Sequence, residues 1–139
     1  MPEFVHTHKQ FLEILKGNTL VVVDFTATWC GPCQRIAPQF AELDAQYKSI
    51  KFIKIDVDVN NETATTMGIH AMPTFLLFIN GTQVDDLVGA DLVALEPKIK
   101  KLLLFYATDE EEKTMHQTTR SNEIVGGEEK TGIGIIEIE

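Results

Sequence analysis

Outside positions 30 and 33 the sequence contains no cysteine. That scarcity excludes two common uses of the residue. A disulfide framework that staples a small secreted domain needs several pairs. A structural zinc site normally draws four Cys or His ligands from two spaced pairs, and His6, His8, His70 and His116 supply no His-x3-5-His spacing. Positive charge is also scarce: 12 Lys and Arg against 21 Asp and Glu leave a net charge of −9, which argues against a nucleic-acid role driven by phosphate contacts. No stretch approaches the roughly 18 apolar residues that a membrane span needs. The opening Met1-Pro-Glu-Phe-Val-His6 has neither a basic n-region nor an apolar h-region, so no secretory signal is expected. The cytoplasm is the expected location, with export by a route that needs no signal left open.

What the chain does have is Trp29-Cys30-Gly31-Pro32-Cys33, directly after the apolar, β-branched run Thr19–Phe25. A thiolate is the reactive form of cysteine, and the unpaired N–H groups and partial positive charge of a helix N-terminus stabilise it. A strand that ends in Cys-x-x-Cys and runs into a helix places Cys30 at that terminus, with Cys33 one turn inside on the same face. The spacing is short enough for a disulfide to close with little backbone movement. A zinc half-site is the competing reading, and the missing second pair argues against it. A purely structural bridge is weaker still, because closing so short a loop restricts the unfolded chain little.

At 139 residues and 44% hydrophobic, the chain is long enough for one domain with an ordinary core and an appended segment. Residues 1–106 carry 12 acidic and 9 basic side chains, whereas residues 107–139 carry 9 acidic and 3 basic. The proposed boundary therefore falls near Ala107, giving a domain over 1–106 and an acidic C-terminal extension over 107–139.

Within the first segment, Phe4–His6 reads as a short strand. Thr7 and Gln10 form a capping-box pair for a helix with Phe11, Leu12 and Leu15 on one face, ending at Gly17-Asn18. Residues 19–27 are apolar on both faces, as in a central strand covered by helices. The next helix runs from about Pro32 to Tyr47 on the stripe Ile36, Phe40, Leu43 and Tyr47, with a kink rather than an end at Pro38. Ile50–Val57 is a strand, and Asn60 opens a short helix closing at Met67-Gly68. Pro73–Ile79 and Val84–Gly89, joined across Asn80-Gly81, read as a β-hairpin. A last helix ends near Leu104. Pro97 would clash in its second turn if it began at Asp91, so the regular helix is expected to start near Glu96 after a separate turn over Asp91–Ala94, a visible kink being the alternative. The order β-α-β-α-β-α-β-β-α describes an α/β domain with a mixed sheet and helices on both faces.

With Asp24, the Trp29–Cys33 motif, Pro38, Asp56-Val-Asp58, Met72-Pro73-Thr74, Gly81 and Gly89-Ala90, residues 3–106 resemble the thioredoxin family. Parts of the sequence, Gln34–Phe40 and Gly89–Ile99, are most similar to thioredoxin-like proteins that carry an extra C-terminal domain. The resemblance implies a thioredoxin fold, a central mixed five-stranded sheet flanked by four helices. It also implies a protein-disulfide reductase that maintains cell redox homeostasis through a Cys30–Cys33 redox disulfide, with Cys30 attacking and Cys33 resolving. No cofactor or metal would be bound. Electrons would come from NADPH through thioredoxin reductase, and the other partners would be disulfide-containing protein substrates, with neither nucleic acid nor membrane involved.

The remaining site residues each carry two readings. Asp24 in a buried strand should have a raised pKa, unless it points to solvent at an edge; the resemblance makes it a proton acceptor for Cys33. Lys54 on the adjoining strand is the expected partner of Asp24, or else a surface lysine. Pro73 on its own would be a trans proline at a strand edge, whereas the resemblance makes it cis, with Met72 against the cysteines. Trp29 would be a core aromatic or, with Gly31, Pro32, Met72 and Gly89, part of a substrate-docking surface. Pro32 supplies no charge between the cysteines, where a histidine would favour the reduced form, so a reductant is expected rather than an oxidant or isomerase. His70 reads as an ordinary surface histidine. Residues 107–122 have the composition of a solvated linker, and Ile133–Ile138 is either a floppy end or a segment that docks on its own domain or adds a strand to a sheet edge here or in a neighbour. A redox fold used only as a docking module, with the tail recruiting partners, is the alternative function.

Overall fold

The computed structural model describes residues 1–107, in the order β1 (Glu3–Phe4), α1 (His8–Gly17), β2 (Leu20–Thr26), α2 (Gly31–Gln46), β3 (Lys51–Asp56), α3 (Asn61–Thr66), β4 (Thr74–Ile79), β5 (Thr82–Val88) and α4 (residues 92–107). The proposed tail elements lie outside the described residues, and residues 1–102 form a compact unit. The strands make one sheet in the order β1-β3-β2-β4-β5. β3 pairs in parallel with β1 and β2, while β4 runs antiparallel to both β2 and β5. This is the thioredoxin fold expected above, with its mixed five-stranded sheet and four helices.

All seven residues of β2 are buried, as its two apolar faces require. Alternation along the strand divides them. Val21, Val23 and Phe25 join Ile53, Ile55, Leu76, Phe78 and the α1 residue Phe11 in one cluster. Val22, Asp24 and Thr26 face the other side, with Phe52 and Phe75 of the neighbouring strands. α2 covers that side: Phe40 packs edge-on against Phe52 at 5.4 Å between ring centroids and lies 5.7 Å from Phe75. Its apolar stripe buries Cys33, Ile36, Phe40 and Leu43, and the helix continues through Pro38 to Gln46.

Local signals set most element ends. The Thr7 hydroxyl accepts from the Gln10 N–H at 3.1 Å, and the Gln10 side chain reaches back to the His6 N–H, one residue before the cap. Asn80 and Gly81 have φ of 51° and 81°, the two positive values of a type I′ turn, which holds Ile79 opposite Thr82 and begins β5 two residues earlier than expected.

Two expectations are corrected. On α1 the buried stripe is Phe11 with Ile14 and Leu15, and Leu12 is 48% exposed, because positions three and four apart share a face while a neighbour lies about 100° round. The final helix begins at residue 92, not near Glu96. The Asp91 carboxylate accepts from the Ala94 N–H at 3.1 Å and its carbonyl from the Leu95 N–H at 3.2 Å, so Asp91 is the cap and Pro97 lies within the helix. Pro97 removes one backbone hydrogen bond, to the carbonyl of Val93, a residue 86% exposed. Complete burial of Leu95 and Ile99 offsets that loss, each side chain contributing about 1.5–3 kcal/mol.

Candidate redox site

The site forms where β2 gives way to α2. Val57 N–H donates to Thr26 O at 2.9 Å, which keeps the ends of β2 and β3 together past the last paired residues. The chain then turns so that Cys30 N–H donates back to Ala27 O at 3.2 Å, and the Gln34 side-chain amide donates to the same carbonyl at 2.9 Å. Cys30 is thereby held as the N-cap of α2, with Pro32 in the first turn, where its missing N–H costs nothing. Cys33 N–H donates to Cys30 Sγ at 3.3 Å. A thiolate formed at Cys30 therefore has a backbone donor and a helix N-terminus already aimed at it.

Cys30 and Cys33 are joined by a disulfide, with their Cα atoms 5.3 Å apart. Together with Ala27 they form a small apolar cluster against Val57 and Met72. Cys30 is 5% exposed and Cys33 1%, so an incoming group meets Cys30 first. The Met72–Pro73 peptide is cis, and Met72 O lies 3.7 Å from Cys30 Sγ. Gly89, at φ 117°, donates its N–H to Pro73 O at 2.9 Å, tying the end of β5 to the same loop. A side chain at that φ is strained, which is why glycine stands there.

Trp29 is not a core aromatic: it is 66% exposed, and its indole N–H donates to Asp58 Oδ2 at 2.8 Å. Asp58 is the contact that sequence reasoning missed, where it entered only within Asp56-Val-Asp58; the signal was a carboxylate just past the strand beside the motif. Gly31 and Pro32 are exposed beside the disulfide. Arg35 folds back over the first of them, its Nη1 lying 3.4 Å from where a Cβ on Gly31 would stand.

Asp24 is completely buried, and neither carboxylate oxygen has a hydrogen-bond partner among the described residues. Burial pushes its pKa from 3.8 up to about 7, against a smaller lowering by Lys54. Lys54 pairs with Asp24 in the β2–β3 register but makes no ion pair with it. Its ammonium lies 5.0 Å from the centroid of the Phe4 ring. The structure thus brings Cys30, Cys33, Met72, Pro73 and Gly89 together, sets Trp29 and Gly31 at the rim, and places Asp24 beneath α2. Lys54 acts on Asp24 only through its field. His70 is exposed. Among the described residues no three His, Cys, Asp or Glu side chains are grouped to hold a metal ion, and no helix is long and apolar enough to cross a membrane.

The sequence profile of the thioredoxin family matches residues 3–103. Thioredoxin-1 of Schizosaccharomyces pombe is 46% identical over 100 residues, covering 72% of this chain and 97% of its own. The thioredoxin of Geodia cydonium is 48% identical over 104 residues, covering 73% and 98%. Among solved structures, Plasmodium falciparum thioredoxin superposes with a TM-score of 0.70 at 44% identity, covering 71% of this chain and 97% of that one. Reduced Schistosoma mansoni thioredoxin does so with a TM-score of 0.68 at 48% identity, covering 71% and 95%. A match that nearly fills each relative, with the cysteine pair capping a helix as its chemistry requires, makes this chain a thiol–disulfide oxidoreductase belonging to the thioredoxin family.

Proposed function

We propose that the protein works as a protein-disulfide reductase, with Cys30 as nucleophile and Cys33 as resolving thiol. The observation that carries this reading is the asymmetry of the pair: Cys30 Sγ receives the Cys33 N–H at 3.3 Å at a helix N-terminus, while Cys33 is 1% exposed. In the reduced protein the Cys30 thiolate attacks one sulfur of a substrate disulfide. One S–S bond forms and one breaks, and the displaced substrate sulfur leaves as a thiolate that takes up a proton. Cys33 then loses its proton and attacks Cys30 Sγ, expelling the second substrate sulfur and closing the Cys30–Cys33 disulfide. Two electrons and two protons pass to the substrate.

Asp24 is the acceptor for the Cys33 proton, relayed through water. A carboxylate with a pKa of about 7 is matched to that transfer near neutral pH, because both its forms are populated there. Lys54 moderates that value through its charge. Met72 and Pro73 offer an extended substrate segment a backbone edge beside Cys30. Trp29, Gly31, Pro32 and Gly89 complete the docking surface. Pro32 leaves the Cys30 thiolate without added electrostatic stabilisation, which favours donation of electrons. Thioredoxin reductase, drawing on NADPH, restores the dithiol. We place this chemistry in the cytoplasm and in residues 1–106, with 107–139 as a separate acidic extension.

A coupled assay tests the proposal. With insulin as substrate, thioredoxin reductase and NADPH, the full chain should sustain NADPH oxidation, and a chain ending at residue 106 should match its rate. No NADPH consumption overturns the reductase reading.

A further inference from the structure

We infer that Arg35 is a specificity-determining residue of the exchange reaction, its guanidinium receiving a carboxylate on the docked partner, so that disulfides flanked by Asp or Glu are preferred. The inference rests on the exchange reading above. Arg35 is the single basic residue between Lys16 and Lys48 and the single arginine before residue 120. It is exposed on the first turns of α2, and helical side chains lean toward the helix N-terminus. That lean carries Nη1 over Gly31, the residue next to Cys30.

Among the described residues Arg35 has no ion pair or hydrogen bond, whereas Lys51 and Lys98 at the surface each hold a carboxylate. An unpartnered guanidinium in a chain of net charge −9, lying over the residue next to the reacting cysteine, leaves its planar fork for a group brought by the partner. A carboxylate is the protein side chain that fits the fork with two parallel hydrogen bonds. The other charges at the site do not compete for it. Asp58 is engaged by the Trp29 indole, and Asp24 is buried beneath α2. The stretch of partner chain that lies along Met72 while its cysteine meets Cys30 must pass Gly31, so residues adjoining that cysteine come within reach of Arg35.

Two other roles are separable. A guanidinium that only stabilised the Cys30 thiolate, or only braced Gly31, would change reaction with every substrate by one factor. The test uses three disulfide peptides identical except for Glu, Gln or Lys beside the cysteine. Each reacts with the dithiol form of the wild-type protein, Arg35→Gln and Arg35→Lys, and the second-order rate constants are compared. In Arg35→Gln the ratio of the Glu to the Gln peptide should fall about two- to fivefold, the range of a single exposed ion pair. The Lys peptide should gain relative to both, and Arg35→Lys, which keeps the charge but not the planar fork, should retain only part of the preference. The wild-type preference should also shrink in high salt, as exposed charges are screened. Equal changes for all three peptides, or an unchanged Glu to Gln ratio, overturn the inference while leaving the exchange reading intact. A wild-type protein that reduces none of the peptides overturns the exchange reading itself.

Discussion

Replacing Asp24 with Asn should stabilise the oxidised protein increasingly as pH rises from about 4 to about 7, fully above that, and leave it nearly unchanged below pH 4. In the folded chain the buried carboxyl holds its proton up to about pH 7, whereas the unfolded chain releases it near 3.8. Between those values the unfolded state binds fewer protons, so stability falls as pH rises; it is complete below the unfolded pKa and lost by the time pH passes the folded one. A separation of about three pKa units, at 1.36 kcal/mol each, amounts to about 4 kcal/mol. Asn is neutral at every pH and close in shape to the protonated acid, and in that buried site it is equally without a partner.

The assay is urea unfolding of the disulfide-closed wild type and Asp24→Asn at a series of pH values. Near pH 4 the midpoints should nearly coincide. At pH 8 the variant's midpoint should lie about 2 M higher, for a denaturant slope of about 2 kcal/mol/M. Other groups titrate alike in both proteins and cancel in the difference. Adding Lys54→Met to the otherwise native chain should extend the pH-dependent loss to higher pH, because the ammonium holds the Asp24 pKa down. If the wild-type and Asp24→Asn curves stay parallel from pH 4 to 8, the carboxyl is not held protonated by burial and the reasoning fails.

Cys33→Ser should form a mixed disulfide with substrate through Cys30 and stall there, seen as a stable adduct by intact-mass spectrometry that a reductant releases; steady turnover by this variant would reverse the roles given to the two sulfurs. Asp58→Ala frees the Trp29 indole from its hydrogen-bond partner. It should raise KM for protein disulfides about fivefold with little change in kcat, the worth of roughly 1 kcal/mol for one such bond. Trp29 is the sole tryptophan, so its emission reports the change directly. Phe40→Ala empties the space between Phe52 and Phe75 and should cost about 3–5 kcal/mol in urea unfolding at fixed redox state. A loss below 1 kcal/mol would mean that α2 collapses into the gap.

Local chemistry makes much of this molecule legible in its sequence. Asn80-Gly81 announces a β-hairpin because few residues accept the two positive φ values of its tight turn, and the Ile36–Leu43 stripe announces the buried side of α2 by period alone. Pro97 was misjudged for a related reason: the local penalty of a helical proline was weighed without Asp91 as a cap or the buried Leu95 and Ile99 that hold the helix in place. Contacts between distant segments were less legible. Trp29 meets Asp58 across 29 positions, a pairing fixed by the β2–β3 register and not by any pattern near either residue. Lys54 is expected on the strand adjoining Asp24 and pairs with it in register, yet its flexible stem carries the ammonium to Phe4 at the sheet edge, and four rotatable bonds leave no trace in sequence.

Asp24 joins the legible part of the site to the part that needs coordinates. Its place inside Val21–Phe25 already implied a raised pKa, but by how much depends on what reaches its oxygens. A carboxylate accepting two or three backbone N–H groups can fall below its ordinary pKa even when buried, and an opposite charge within about 4–6 Å lowers it by roughly 1–3 units. Among the described residues no donor reaches the Asp24 oxygens, and the lowering by Lys54 is smaller than the effect of burial, so desolvation dominates and the value settles near 7. The missing donor also makes the residue a burden on stability, since an ionised carboxylate without a hydrogen-bond partner is costly to bury. A single hydrogen-bond donor would relieve that burden and at the same time take the pKa away from neutrality, where a proton acceptor for a thiol is most useful. Under the role proposed for it, the unsatisfied state of Asp24 is therefore the source of its proton affinity, and stabilising substitutions at this position are expected to slow resolution by Cys33.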